Sequence, residues 1–252
     1  MARCRLPRYQ VIRLLCAKSA NHSPCCIRRA TVSTPAVETS YDGQIRLPNS
    51  IRLAPISFAL VALSSLVFLL FFQLRIMVLL QWFNFVPVEM TDIGVSLGRP
   101  GNDWWRYVTP TLLHFSWLHL VFNCLWLWEF GQRIEHRIGA VNMVGLYLVT
   151  AVVSNGVQYL WSGPSIFGGM SGVVYSFLGF LWAASLVRPG WLQAPPPAIL
   201  GFMLIWLIVG LLGTLEFLGV GAIANGAHIG GLAIGFVLGL LFGVLTRFHR
   251  SA

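Results

Sequence analysis

Fifty consecutive residues, 138–187, contain no Asp, Glu, Lys or Arg. A water-facing surface cannot be built from such a run, and it is one of several. Residues 53–74 and 107–128 are each 22 residues without a charge, 189–215 is 27, and 217–246 is 30. A helix needs about 20 apolar residues to cross the hydrocarbon of a bilayer. The 50-residue run holds two such crossings, parted at 161–169 (WSGPSIFGG). The spacing of charges therefore predicts an all-α polytopic membrane protein, a bundle of six transmembrane helices with a large first loop. The apolar stretch 76–88 is too short for a seventh crossing and reads as an interfacial loop.

Composition removes the alternatives. Only 10% of the chain is charged, against about 25% in a soluble domain, while 56% is hydrophobic and the mean hydropathy is +0.73. Five cysteines, four of them in the first 26 residues, exclude a secreted disulfide scaffold. Cys4, Cys16, Cys25 and Cys26 lack a zinc-binding spacing. The net charge of +9 is gathered toward the ends, with nine of the 17 basic residues before Leu53. It reads as cytoplasmic anchoring to the lipid bilayer rather than as a nucleic-acid footprint. Residues 1–50 form a basic tail rich in Ser, Thr and Pro, expected to be disordered and cytoplasmic. Its acid-poor start has some likeness to an organellar transit peptide, which makes an organellar inner membrane the alternative location. Residues 51–252 are the membrane-embedded domain.

The loops orient the chain. Arg133 and Arg137 follow span 2, Arg188 follows span 4, and Arg247 and Arg250 follow span 6. On the other side, Arg75, Arg99 and Arg106 are balanced by Glu89, Asp92 and Asp103, the loop after span 3 is uncharged, and the loop after span 5 carries Glu216 alone. The positive-inside rule then places both termini in the cytoplasm.

Strongly polar residues within a span are costly and mark functional sites. Span 2 carries His114, His119 and Asn123, span 4 opens on Ser171, and span 6 carries His228 close to Asn225. Counting about 1.5 Å per residue from Arg188, Arg247 and Arg133, Ser171 stands about 25 Å, His228 about 28 Å and His119 about 21 Å above the cytoplasmic side. All three fall in one layer of the outer half of the bilayer. Span 6 repeats Ala227, Gly231, Gly235, Gly239 and Gly243 every four residues, a small-residue face that lets helices pack backbone to backbone.

A serine at the abrupt start of a short helix, in Gly169-Met170-Ser171-Gly172, is more often a cap than a nucleophile. With a histidine at matching depth and the glycine face between them, Ser171 reads as nucleophile and His228 as general base. His119 and Asn123 share a helical face and could donate to an oxyanion, although interhelical hydrogen bonding is the plainer role. Tyr175, one turn after Ser171, would pack on the imidazole. Gly169 and Gly172 support the serine turn. A zinc site is disfavoured, because His114, His119 and His228 have no acid in their layer and no His-Glu-x-x-His pattern occurs. Trp105 and Arg106 precede span 2 as an aromatic belt and a cation for loop carbonyls; Glu135 and Arg137 read as structural.

The segments Trp105-Arg106, then His114, His119 and Asn123, then Gly169-Met170-Ser171-Gly172, then Ala227-His228-x-x-Gly231-x-x-x-Gly235 together resemble the rhomboid intramembrane serine proteases, most of all the bacterial type with six spans, over residues 54–247. The resemblance implies a Ser171–His228 dyad and an oxyanion held by His119, Asn123 and the Ser171 backbone N–H. It also implies Tyr175 on the catalytic ring, structural roles for Trp105 and Arg106, and no metal or cofactor. Substrates would be single-pass transmembrane proteins cut in or near the membrane segment, and the location a bacterial inner membrane. The basic tail departs from members with a folded cytoplasmic domain. The alternatives to an enzyme are a catalytically silent rhomboid-like scaffold that binds client helices and a transporter, and the chain lacks the half-to-half similarity expected of the latter.

Overall fold

A computed structural model describes residues 54–92, 94–217 and 223–248. The basic tail with its four cysteines, Arg250 and residues 218–222 lie outside the described residues. The chain is predominantly helical: α1 (Pro55–Phe68, continued by a π-helical turn Leu69–Gln73), α2 (Val78–Phe83), α3 (Trp117–Ile138), α4 (Ala140–Ser162), α5 (Ser171–Val187), α6 (Pro197–Leu211), α7 (Thr214–Phe217) and α8 (Asn225–Phe248).

Three segments are long and apolar enough to cross a membrane: Pro55–Gln73, Ala140–Ser162 and Asn225–Arg247. Ser171–Val187 and Pro197–Leu211 are apolar but shorter. Large apolar side chains such as Leu66, Leu125, Val141, Leu160, Ile205 and Leu245 face outward. An apolar exterior of that extent suits lipid, not water, and the chain is a membrane protein.

Two features differ from the sequence expectation. The second uncharged run begins at 107, but its helix begins ten residues later and continues through Glu129, Arg133 and Glu135. Short 3₁₀ turns, Trp104–Tyr107 and Thr109–Leu112, occupy the start of the run, with Pro110 in the second. The helix then starts at a true cap: Ser116 Oγ accepts from His119 N at 3.1 Å. His114 therefore precedes the helix rather than lying in it. The second difference is a small sheet in a chain expected to be all-α. Strands β1 (Val88–Thr91) and β2 (Gly94–Leu97) pair antiparallel, Val88 opposite Leu97. The tight turn between them is tied by Thr91 Oγ1 donating to Gly94 O at 2.8 Å.

The segment 75–112 is pinned by side chains that satisfy its backbone. Arg106 is buried; its Nη1 donates to Gln81 O at 2.7 Å and Asn84 O at 3.0 Å, and its Nε to Asp103 at 2.9 Å. The Trp105 indole donates to Trp82 O at 3.3 Å, and the two indoles stack. Asn84, fully buried, donates to Val86 O and Ser165 O and accepts from Phe167 N, so it joins this segment to the loop before α5.

Helix α5 is the centre of the bundle; twelve of its 17 residues are buried. Its closest neighbour is α8, where the glycine face meets α5 with no side chain between. A Cβ on Gly231 would overlap the Gly172 carbonyl, one on Gly235 the Ser176 carbonyl, and one on Gly239 the Phe180 carbonyl. The approach is mutual, since a Cβ on Gly179 of α5 would stand 2.5 Å from Leu232 O. Helix α6 is held differently: only Met203, Leu207 and Gly210 of its residues are buried. Glu135 of α3 closes the start of α1, accepting from Ile56 N, Ser57 N and Ser57 Oγ at 2.7–2.8 Å.

Candidate active site

Ser171 is the first residue of α5, which follows a loop rather than another helix. A first-turn residue has no carbonyl four positions earlier within its helix, so its N–H is one of the donors a helix leaves unpaired at its start. The loop is steered by Gly169, whose φ of +104° is strained for any side chain. Gly169 N donates to Pro110 O at 3.0 Å, anchoring the turn to the segment before α3.

On α8, His228 sits one residue past Ala227, at the edge of the glycine face. The start of α8 is set by α4: Gln158 Oε1 accepts from Ala227 N at 3.0 Å. With α5 and α8 in backbone contact at Gly172 and Gly231, Ser171 and His228 are brought to hydrogen-bond distance, Oγ to Nε2 at 2.8 Å. His228 is 6% exposed. The Tyr175 ring lies 4.7 Å from the imidazole, centroid to centroid and tilted by 33°. The Tyr175 hydroxyl does not serve the histidine; it donates to Met203 O of α6 at 2.9 Å.

His119 and Asn123 lie against the serine loop from the α3 side. A Cβ on Gly169 would come within 2.5 Å of His119 Cε1 and Nε2 and 3.7 Å of Asn123 Nδ2. Asn123 is buried and spends one amide N–H on His119 O at 2.9 Å. That bond leaves the second N–H of the amide and the His119 ring edge beside the turn that presents Ser171. Gly172 is required by space: a Cβ there would stand 2.7 Å from Ser154 Oγ. Trp105 and Arg106 belong to the network that pins 75–112, and among the described residues neither is hydrogen-bonded to Ser171 or His228. His114 is fully buried, its Nδ1 at 3.2 Å from Leu112 O and its ring 5.0 Å from that of His119.

Chemically, the arrangement places a hydroxyl against a ring nitrogen, at the start of a helix, with amide and imidazole donors beside the turn. Groups so placed have the chemistry a nucleophile, a base and an anion hole require. The sequence reading passed over the support from α4. Thr150, Ser154 and Gln158 recur every four residues, all buried; Ser154 packs on Gly172 of α5 and Gln158 holds Ala227 of α8. The repeat was visible in the sequence as a period of four, although no member ionises. Asn225, close to His228 in the sequence, donates to Gly210 O of α6 at 2.9 Å.

The family model described as the rhomboid domain matches residues 101–244, more than half of the chain. The chain is also similar to the rhomboid protease GlpG of Enterobacter sp. (strain 638), with 35% identity over 190 residues. That match covers 74% of this chain and 63% of the relative, so the chain spans somewhat less than two thirds of the relative's length. Residues 101–244 include the serine turn, both α3 donors and the start of α8 together, and on that match the chain belongs to the rhomboid family.

Proposed function

We propose that the protein is an intramembrane serine endopeptidase. It would use Ser171 and His228 as a catalytic dyad to hydrolyse peptide bonds in or near the transmembrane segments of single-pass membrane proteins. The 2.8 Å Ser171 Oγ–His228 Nε2 hydrogen bond carries the reading. Family membership and a relative named a rhomboid protease support it.

The reaction is acyl transfer to water. As Ser171 Oγ bonds to the scissile carbonyl carbon, its proton passes to His228 Nε2. The carbonyl oxygen becomes an oxyanion beside the His119 ring, the second N–H of Asn123 and the Ser171 backbone N–H, donors already in place before charge develops. Collapse breaks the C–N bond, and the Nε2 proton leaves on the amine. A water then attacks the acyl-enzyme ester, gives a proton to Nε2 and releases the acid, and the proton returns to Oγ. Tyr175 keeps the imidazole in register by packing on its face. No step draws on a metal or a cofactor.

In this reading α1, α3, α4, α5, α6 and α8 are the six crossings, and 75–112 is a large first loop on the outer side. Both termini lie in the cytoplasm of a bacterial inner membrane, with 1–50 as tail and 51–252 as the membrane-embedded unit. Helix α5, at 17 residues, is too short for a full crossing at about 1.5 Å per residue, so the serine sits below the surface where water can reach it. The test is labelling of detergent-solubilised protein with a fluorophosphonate. Wild type should be labelled and Ser171→Ala should not, and His228→Ala should lose turnover with thermal stability nearly intact. An intact, folded wild type that takes no label would sink the protease and favour a silent scaffold.

A further inference from the structure

If His228 is to take a proton at Nε2, the neutral ring must carry its own hydrogen on Nδ1. That nitrogen is buried and has no hydrogen-bond partner in the protein. The aromatic neighbour does not supply one, because the Tyr175 hydroxyl is engaged with Met203 O. Among the described residues no carboxylate is hydrogen-bonded to the ring. A buried donor without an acceptor is destabilising, and becomes more so when the ring gains a second proton and a charge.

The complementary atom stands one turn earlier on the same helix. Asn225 Oδ1 is also buried and also without a partner. The orientation of this amide is fixed, because Nδ2 donates to Gly210 O at 2.9 Å; turning it over would set oxygen against oxygen. Asn225 and His228 are three residues apart, and side chains at that spacing are neighbours on a helix surface with Cβ atoms about 5–6 Å apart. No direct bond joins the two groups, and a single bridging water is the simplest link between neighbours at that spacing. The other orphaned side-chain atoms among the described residues are His114 Nε2 and Arg133 Nη1. His114 is packed on His119 and Arg133 is paired with Glu129, both on the α3 side. Donor and acceptor thus match at one place, on the face of α8 that carries the histidine.

We propose that Asn225 is a positioning residue of the site, whose Oδ1 accepts the His228 Nδ1–H through one bound water. The link selects the tautomer that leaves Nε2 free for Ser171, and it stabilises the imidazolium formed when the serine attacks. The proposal rests on the Ser171–His228 reading above.

The test compares the full chain in detergent or liposomes as wild type and Asn225→Ala, by kcat and KM on a tagged single-pass substrate, by fluorophosphonate labelling rate and by thermal unfolding. Asn225→Ala should lower kcat and labelling rate roughly tenfold, the factor one neutral hydrogen bond carries, with KM unchanged. Loss of the bond to α6 alone would lower the unfolding temperature without that selective fall in kcat. The proposal is overturned if Asn225→Ala stays within about twofold of wild type, or if KM rises as much as kcat falls. Should Asn225→Ala not fold, Asn225→Leu serves as the variant without an acceptor, against the same thresholds. A folded wild type that takes no label defeats the dyad reading and this proposal together, whereas a labelled wild type with indifferent Asn225 variants defeats this proposal alone.

Discussion

Alanine at Gly235 and alanine at Gly243 are the same chemical change on the same face of α8, eight residues apart, and the packing gives them opposite consequences. At Gly243 a new Cβ would meet Val187 Cβ at 3.4 Å and Ala184 Cα at 3.6 Å, ordinary contact that fills space. At Gly235 the same atom would stand 2.5 Å from both Ser176 C and Cα, and closer still to the carbonyl oxygen. Carbon atoms rest about 3.5–4.0 Å apart, so α5 and α8 would have to part by about 1 Å. The obstacle is backbone and cannot turn to another rotamer. Overpacking of this kind costs about 1–3 kcal/mol, and a rigid obstacle belongs at the upper end. The separation would also be felt at His228, about two turns away on α8, and at Ser171, about a turn and a half away on α5. Their 2.8 Å bond would stretch to about 3.8 Å, outside hydrogen-bond range, and a misplacement of about 1 Å can lower a rate about 10²-fold. Gly243→Ala should be neutral or stabilising, since alanine is favoured over glycine in a helix by about 0.8–1.0 kcal/mol. Thermal unfolding in one detergent and the rate of fluorophosphonate labelling measure both effects. Wild-type behaviour of Gly235→Ala, or an equal loss in Gly243→Ala, would refute the idea that backbone contact between these helices sets the geometry of the site.

Three further perturbations follow from the same contacts. Gly169→Ala would force a left-handed backbone and push a Cβ to 2.5 Å from the His119 ring; labelling should fall by about 10²-fold with a smaller effect on unfolding temperature, because a donor is displaced more than a core is opened. Glu135→Ala would leave the Ile56 and Ser57 N–H groups and the Ser57 hydroxyl without their acceptor. At about 1–3 kcal/mol for each unpaired buried donor, thermal unfolding should show a severe loss, with Glu135→Gln intermediate. Arg106→Lys keeps the charge but cannot fork between Asp103, Gln81 O and Asn84 O; the segment 75–112 should become susceptible to limited proteolysis at a stability loss of about 1–3 kcal/mol.

The absence of charge located most of the helices because lipid-facing surface forbids it. The uncharged runs contain α1, α4, α5 and α6 and nearly all of α8, and the period-four glycines on α8 foretold its backbone contact with α5. Helix α3 starts ten residues into its uncharged run because apolarity says where a chain can be buried, not where it begins to coil. That start is decided by Pro110 and the Ser116 cap, and the helix then runs on through Glu129, Arg133 and Glu135. The β1–β2 hairpin was illegible for a related reason: most of its residues are exposed on both faces, so it has no alternation to detect. At the site, Ser171 and His228 stood out as polar residues of matching depth, but their supports did not ionise and escaped the same filter. Gln158 holds the start of α8 from 69 residues away, and Glu135 closes α1 across 79. Partners that distant are fixed by tertiary packing, which a single sequence does not print.

Among the described residues no carboxylate is hydrogen-bonded to His228, and the surroundings of the ring give a physical reason. An aspartate on Nδ1 would be ionised before the reaction as well as during it, and a lone charge within a membrane-buried bundle is destabilising unless paired. An aromatic face and an amide oxygen add no charge to the resting state. They fix the ring by packing and dipole, and their interaction with it strengthens as the imidazolium forms. The precision that a fixed anion would otherwise provide is supplied by α5 and α8 meeting without side chains between them. Contact between two helical backbones has no rotamers to relax into, so the Ser171–His228 distance is as stiff as the helices themselves. The site's demand for glycine on α8 and its tolerance of an uncharged partner for His228 are in this sense one requirement.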